Sequence, residues 1–222
     1  MVKLVLRIIQ ERRKSGITKV PKDVLDVLLN DSSEELTDDL IAHNIIDMMI
    51  PGEDSVPLLI TLAIKYLSEY PAALQQLTEE NMKLKKQKYH LGETLCWSDY
   101  LSLLPFTQLV ITETLRMGNI IIGAMRKATK DVKIKGYLIP KGWCVLANFR
   151  SVHLDEKNFN IPYQFNPWRW QLLNDTLKKF QDKELNNCNF TPFGGGQRLC
   201  PGLELARLEA FIFLHHFVTQ FR

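Results

Sequence analysis

The hydrophobic and polar positions of this 222-residue chain fall into a few long helical stretches separated by polar punctuation. From Thr37 to Tyr70, Leu40, Ile41, Ile45, Met48 and Met49 recur at helical spacing, and the pattern resumes with Leu58, Leu59, Leu62, Ala63, Tyr66 and Leu67. Thr37 is the expected N-cap, with Asp38 and Asp39 suited to the positive helix terminus. The stretch "PGEDSVP", 51–57, predicts an interruption in the middle. Pro71 to Lys86 reads as a second helix opening on a first-turn proline, Lys88 to Asp99 as an irregular connection, and Leu101 to Arg116 as a third helix. From Ala128 the period shortens to alternation at Val132 and Ile134. Gly136 and Pro140-Lys141-Gly142 then act as turns before Trp143 to Ala147, so a small hairpin sheet is expected over 128–149. Leu154 to Asn189 is polar and mostly irregular. Pro201 to Phe221 is an apolar helix, with Leu205, Leu208, Ile212 and Phe213 as buried candidates.

Composition changes this picture little. With 45% hydrophobic and 24% charged residues the chain is globular in type, and a net charge of +3, evenly spread, argues for neither nucleic acid nor an anionic membrane surface. The one basic cluster, Lys83, Lys85, Lys86 and Lys88, reads as the solvated end of a helix. The first residues, with a short apolar run broken by Arg7, form neither a signal peptide nor a membrane span, and no run of 18 apolar residues occurs. Four cysteines, Cys96, Cys144, Cys188 and Cys200, lie far apart without zinc spacing, which suits a reducing compartment. His215 or His216 must face the apolar side of the last helix and is expected as a satisfied core histidine. His153 could approach an anionic group or simply be structural, and His43 and His90 carry no signal.

Candidate chemistry concentrates in "FTPFGGGQRLCPGL", 190–203. A glycine run before a helix could cradle phosphate, but G-K-[ST] is absent and so is a G-x-G-x-x-G with its acidic partner. Cys200 stands just before the helix, where the dipole and free N–H groups favour a thiolate. The glycines let backbone approach a flat group, and Arg198 can meet an anion at that group's edge. These are the requirements for holding haem iron by a cysteine thiolate.

Phe193, Gly196, Arg198, Cys200 and Gly202 fit F-x-x-G-x-R-x-C-x-G, and here the chain resembles the cytochrome P-450 family of haem-thiolate monooxygenases. The resemblance implies a mainly α fold with a small β-sheet, corresponding to the C-terminal half of the P-450 fold. Its implied parts are helices over 1–36, the long I helix over 37–70, J, the K helix over 101–118, the sheet over 128–149, the meander over 150–192, the haem-Cys loop over 193–202 and the L helix over 203–222. "ETLR" resembles the family's E-x-x-R, so Glu113, Arg116 and, from "FNPWRW", Arg169 are expected to form its structural network. "PGEDSVP" resembles the oxygen-activation segment, placing Asp54 and Ser55 as the catalytic acid and alcohol; Ser55 replaces the usual threonine and Pro51 the usual small residue.

Arg126 is the expected haem-propionate partner together with Arg198, and Ile120, Ile121, Ile122, Ala124 and Met125 are expected to line the substrate pocket. The implied cofactor is haem b, bound through Phe193, Gly196, Arg198, Cys200 and Gly202, with Cys200 on the metal. The implied partners are NADPH-cytochrome P-450 reductase, O2 and a hydrophobic steroid, at the cytosolic face of the endoplasmic reticulum membrane. Membrane contact is expected only through an N-terminal half that this chain lacks, along with a final β-hairpin. The motifs are most similar to those of plant brassinosteroid side-chain hydroxylases, especially the C-23 group. Two other readings stay open, a non-catalytic fragment and a hydroxylase of another plant sterol or terpenoid.

Overall fold

The computed structural model describes residues 1–16, 20–31, 36–173 and 189–221. The chain divides into two compact units, Met1–Asp54 and Ser55–Arg222. In the first, α1 (Val2–Ser15), α2 (Val24–Leu29) and the start of α3 (Asp38–Glu69) close on Ile9, Leu25, Leu29, Ile41 and Ala42. Arg12 joins these elements from the polar side, donating to Asp23 (2.6 Å) and Asp26 (2.7 Å). The arginine, with the Asp26 amide, holds the Asp23 carboxyl down at about 2.

Helix α3 begins as its sequence suggests, with the Leu40 amide donating to Thr37 Oγ1 at 3.2 Å. The expected interruption is not there: α3 runs unbroken from Asp38 to Glu69 through Pro51, Gly52 and Pro57. A proline in a helix interior removes one donor but leaves the other rungs, and an apolar stripe can hold the helix across the gap. Val56, Leu59, Ala63 and Leu67 keep that stripe buried on both sides of Pro57.

The second unit packs α3 from Leu59 onward against α4 (Pro71–Leu91), α6 (Pro105–Gly118) and α8 (Leu203–Gln220). Leu77, Val110, Phe211 and Leu214 sit at the centre of this core. The third sequence helix is in fact two, α5 (Trp97–Leu103) and α6, because Pro105 starts a new helix at its first turn. Helix α4 supplies the cap for that turn: the Phe106 and Thr107 amides donate to the two carboxylate oxygens of Glu80 at 2.7 and 2.8 Å. Helix α4 also runs on to Leu91, and Lys88 there bridges Glu93 and Asp99.

The small sheet differs from the expected single hairpin. β1 (Gly123–Lys127) pairs antiparallel with β4 (Cys144–Asn148), and β2 (Val132–Ile134) with β3 (Tyr137–Ile139), as two separate ladders. β1 was invisible to alternation because its pairing is non-local, and it requires glycine at 123, where a Cβ would strike the Ala147 carbonyl oxygen. A short helix α7 (Phe149–His153) and 3-10 turns at Pro167–Leu173 and Gly196–Arg198 complete the described chain. Cys188 and residues 174–188 of the meander lie outside the described residues.

Helix α8 corrects one burial expectation. Leu205, Ile212 and Phe213 are exposed and Leu208 is half-buried, while Ala210, Phe211, Leu214, His215 and Val218 face the core. A helix apolar on every side gives its sequence no period from which to choose a face. His215 is the buried histidine and His216 the exposed one. The His215 ring meets Asn81 Oδ1 at 3.0 Å, and Asn81 donates to Thr107 Oγ1 at 2.9 Å, so one polar chain ties α8, α4 and α6 inside the core.

Candidate haem-thiolate site and its support

Glu113 is the origin of the site's support. It is fully buried on α6, and its carboxylate accepts hydrogen bonds from donors that arrive from two directions. Arg116, one turn on, donates from Nε to Oε2 (2.9 Å) and from Nη2 to Oε1 (2.8 Å). From the other side Arg169 Nε (2.9 Å) and the Asn166 amide (3.0 Å) reach Oε1, and Trp170 Nε1 reaches Oε2 (2.9 Å). A buried carboxylate survives only when charge and lone pairs are both answered, and here they are. Arg169 then spends its other nitrogens on the Asn160, Ile161 and Gln164 carbonyls, at 2.7, 3.3 and 3.1 Å, which folds the loop 160–166 around it. Arg116 lies over the Phe159 ring at 5.0 Å.

The sequence marks Glu113, Arg116 and Arg169 and leaves His153 open, but gives no sign of Trp170 or the Asn166 amide. The indole was within reach of inspection, one residue past Arg169; the Asn166 amide and His153 act through contacts 34 or more residues apart along the chain. His153 is 1% exposed, and its carbonyl accepts Arg116 Nη1 at 2.8 Å. Its Nε2 accepts the Thr191 amide at 3.0 Å, and its Nδ1 meets Asn119 Oδ1 at 3.0 Å. Burial, and after it the Arg116 charge, pushes the imidazole down to about 4, so the ring is neutral near pH 7.

The cysteine loop is shaped by two turns. The Gly194 amide closes on the Thr191 carbonyl at 3.0 Å, and the Cys200 amide returns to the Phe193 carbonyl at 3.0 Å. Gly194 and Gly196 take φ values of 76° and 62°, in the left-handed region that a side chain disfavours. Cys200 is a free, half-buried thiol just ahead of α8, and Phe193 packs under Arg207 of that helix, whose guanidinium lies 5.8 Å from the ring centroid. A Cβ placed at Gly195 or Gly196 would meet nothing within 4 Å, which leaves the glycine face of the loop open for a flat group. Among the described residues no three His, Cys, Asp or Glu side chains converge on a metal position.

The remaining sequence-selected residues lie apart from this cluster. Asp54 is exposed and Ser55 half-buried, and neither side chain forms a hydrogen bond with another described residue. Arg126 is exposed on β1 and donates to the neighbouring Met125 carbonyl at 2.8 Å; Arg198 is exposed in the loop. Ile121, Ile122 and Met125 are more than half exposed and Ala124 is half-buried, whereas Ile120 packs against the main core. Cys96 caps α5 and Cys144 is exposed on β4.

A mainly helical chain whose Cys200 thiol follows a glycine-rich loop and precedes a helix, beside a buried Glu–Arg–Arg cluster, has the architecture of a haem-thiolate oxygenase. The chain belongs to the cytochrome P450 family, whose profile matches residues 1–222. Among curated relatives it is 64% identical to the Arabidopsis thaliana 3-epi-6-deoxocathasterone 23-monooxygenase CYP90D1, over all of this chain and 44% of the relative. It is 61% identical to rice cytochrome P450 90D2 over all of this chain and 43% of the relative. It is 53% identical to the Arabidopsis thaliana 3-epi-6-deoxocathasterone 23-monooxygenase CYP90C1 over all of this chain and 42% of the relative. The chain thus spans less than half the length of the curated relatives it matches. The crystal structure of the cytochrome P450DA heme domain superposes with a TM-score of 0.79 at 25% identity, over all of this chain and 47% of that one. Retinoic acid-bound cyanobacterial CYP120A1 matches in fold with a TM-score of 0.75 at 23% identity, over all of this chain and 48% of that one. No helix among the described residues is long and apolar enough to cross a membrane.

Proposed function

We propose that this chain forms the thiolate-bearing part of a monooxygenase that hydroxylates C-23 of a steroid side chain in brassinosteroid synthesis. One oxygen atom of O2 enters the C–H bond and the other leaves as water, with two electrons reaching the site from NADPH through its reductase. The observation that carries the reading is Cys200: a free thiol ahead of α8, its amide turned back onto Phe193, on a loop whose glycine face is open. The identity to the two 23-monooxygenases supplies the substrate class.

Haem, when bound, supplies the activation of dioxygen. Cys200 would hold its iron, presented by the loop just ahead of α8. Phe193, Gly196 and Gly202 shape the loop that presents the sulfur, and Gly202 lies beside it, with an ideal Cβ 4.0 Å from Cys200 Sγ. Arg126 and Arg198, both exposed and outside any ion pair with a described residue, would pair with the propionates. Asp54 would hold a proton at its carboxyl and Ser55 would pass it from its hydroxyl, the pair lying between Pro51 and Pro57 of α3. Ile121, Ile122, Ala124 and Met125 would form an apolar wall that excludes water from the reacting carbon, with Ile120 anchoring that wall to the core. The cellular setting that goes with this reading is the cytosolic face of the endoplasmic reticulum.

Haem titration of the chain tests the reading. Stoichiometric binding with a thiolate-type carbon monoxide difference band, lost in Cys200→Ala, is expected, and a sterol bearing an unoxidised side chain should shift the haem spectrum. Absence of the thiolate band in the unsubstituted chain would favour a non-catalytic fragment; a shift with other terpenoids but not sterols would move the substrate class.

A further inference from the structure

We propose that His153 is a positioning residue for the cysteine loop, its neutral ring clasping the Thr191 amide so that the chain leading to Cys200 is anchored to α6. This rests on the reading of Cys200 as the haem ligand. The hydrogen-bond arithmetic leaves one arrangement. A backbone amide can only donate, so His153 Nε2 accepts from Thr191 (3.0 Å), and the ring proton must sit on Nδ1, where it points to Asn119 Oδ1 (3.0 Å). The orientation of Asn119 agrees independently: its amide nitrogen donates to the Arg116 carbonyl (2.8 Å) and the Met117 carbonyl (3.3 Å), which turns its oxygen toward the histidine.

The clasp is fixed at both ends. At its base, the His153 carbonyl accepts Arg116 Nη1, and Arg116 is itself held by Glu113. At its tip, Thr191 is the residue whose carbonyl closes the turn to Gly194, and two residues on Phe193 receives the Cys200 amide. A relay of hydrogen bonds thus links the Glu113 cluster to the loop that carries Cys200: Arg116 to the His153 carbonyl, the His153 ring to the Thr191 amide, and the Thr191 and Phe193 carbonyls to the Gly194 and Cys200 amides. The ring is also packed, 5.4 Å from Phe190 and 6.4 Å from Phe149. A purely space-filling histidine would need neither nitrogen. Here both are used, and one carries the loop.

The two ring nitrogens can be replaced one at a time. His153→Gln places a side-chain carbonyl near the Nε2 position and keeps an acceptor for Thr191; His153→Asn reaches only the Nδ1 position and leaves the amide unpaired. In the 222-residue chain loaded with haem, the unsubstituted protein and His153→Gln should show a predominantly thiolate-type carbon monoxide band and a protected Thr191 amide. In His153→Asn, with helix content unchanged, Thr191 amide exchange should speed by about tenfold, the equivalent of one lost hydrogen bond, and the band should move toward the thiol type. Nitrogen chemical shifts of the imidazole should show an unprotonated Nε2. A His153→Asn variant that keeps either the protection or the parental band overturns the proposal. So do two variants that lose helix content and band together, because the residue then only fills space. If the unsubstituted chain gives no thiolate band, the Cys200 reading fails, while Thr191 exchange in the same three proteins still decides the clasp.

Discussion

Trp170 donates its indole N–H to Glu113 Oε2 at 2.9 Å, on the same oxygen that accepts Arg116 Nε. The meander is therefore fastened to α6 by a neutral donor as well as by charge. The two kinds of fastening should fail differently. Glu113→Gln leaves Arg116 buried without its counter-charge and should cost about 3–5 kcal/mol, measured by denaturant unfolding. Trp170→Phe keeps the ring packing against Phe159 and Phe190 and removes one bond to a carboxylate, for about 1.5–3 kcal/mol. Equal losses would mean that packing, not the charge network, dominates this junction.

Two buried histidines give the second unit a pH-dependent stability. His153 and His215 are both pushed down to about 4, each by burial first, then by Arg116 for one and by His216 and Lys85 for the other. A histidine that is lowered in the folded state takes up its proton more readily when unfolded. Stability is thus full above the ordinary value of about 6.5 and falls as pH drops toward 4, by on the order of 3 kcal/mol per histidine at the limit. Denaturation midpoints measured from pH 7 to pH 4 should decline, and His215→Phe should flatten part of that decline. A flat profile in the unsubstituted chain would contradict the neutral-core assignment.

Helix α3 runs through Pro57, which has no amide to offer the carbonyl of Glu53. Pro57→Ala restores that rung at an exposed position and should raise stability by about 1–3 kcal/mol, read as an upward shift in melting temperature. In the proposed enzyme the same substitution should slow turnover, because the unbonded carbonyl beside Asp54 and Ser55 disappears. A gain in both stability and turnover would remove the proline from the catalytic account.

The approach of β1 to β4 leaves no space for a side chain at Gly123, whose Cβ would meet the Ala147 carbonyl oxygen. Gly123→Ala should push the strands apart and destabilise the ladder by about 1–3 kcal/mol. Gly195→Ala, where a Cβ would meet nothing within 4 Å, should leave stability within about 0.5 kcal/mol and instead weaken haem uptake. Haem titration beside thermal melts of the two variants checks this pairing.

The sequence by itself determined what depends on short spacing. Glu113 and Arg116 are neighbours on a helix face because they are three residues apart, and Cys200 precedes an apolar helix whatever the rest of the fold does. Prolines at 71 and 105 start helices for local reasons, although only the structure showed that the second one splits a stretch that reads as continuous. Local spacing misled at two helices: α3 continues through Pro51 and Pro57, each of which removes one amide donor and leaves the other rungs in place, and α8 takes its core face from the elements packed on it. The tertiary structure decided everything that joins distant segments. His153 to Thr191, Glu80 to the start of α6, Asn81 to His215 and Trp170 to Glu113 each satisfy a buried polar group with a partner far along the chain. No periodicity encodes such pairs, because burial creates the demand for a partner and only the folded packing brings that partner within reach.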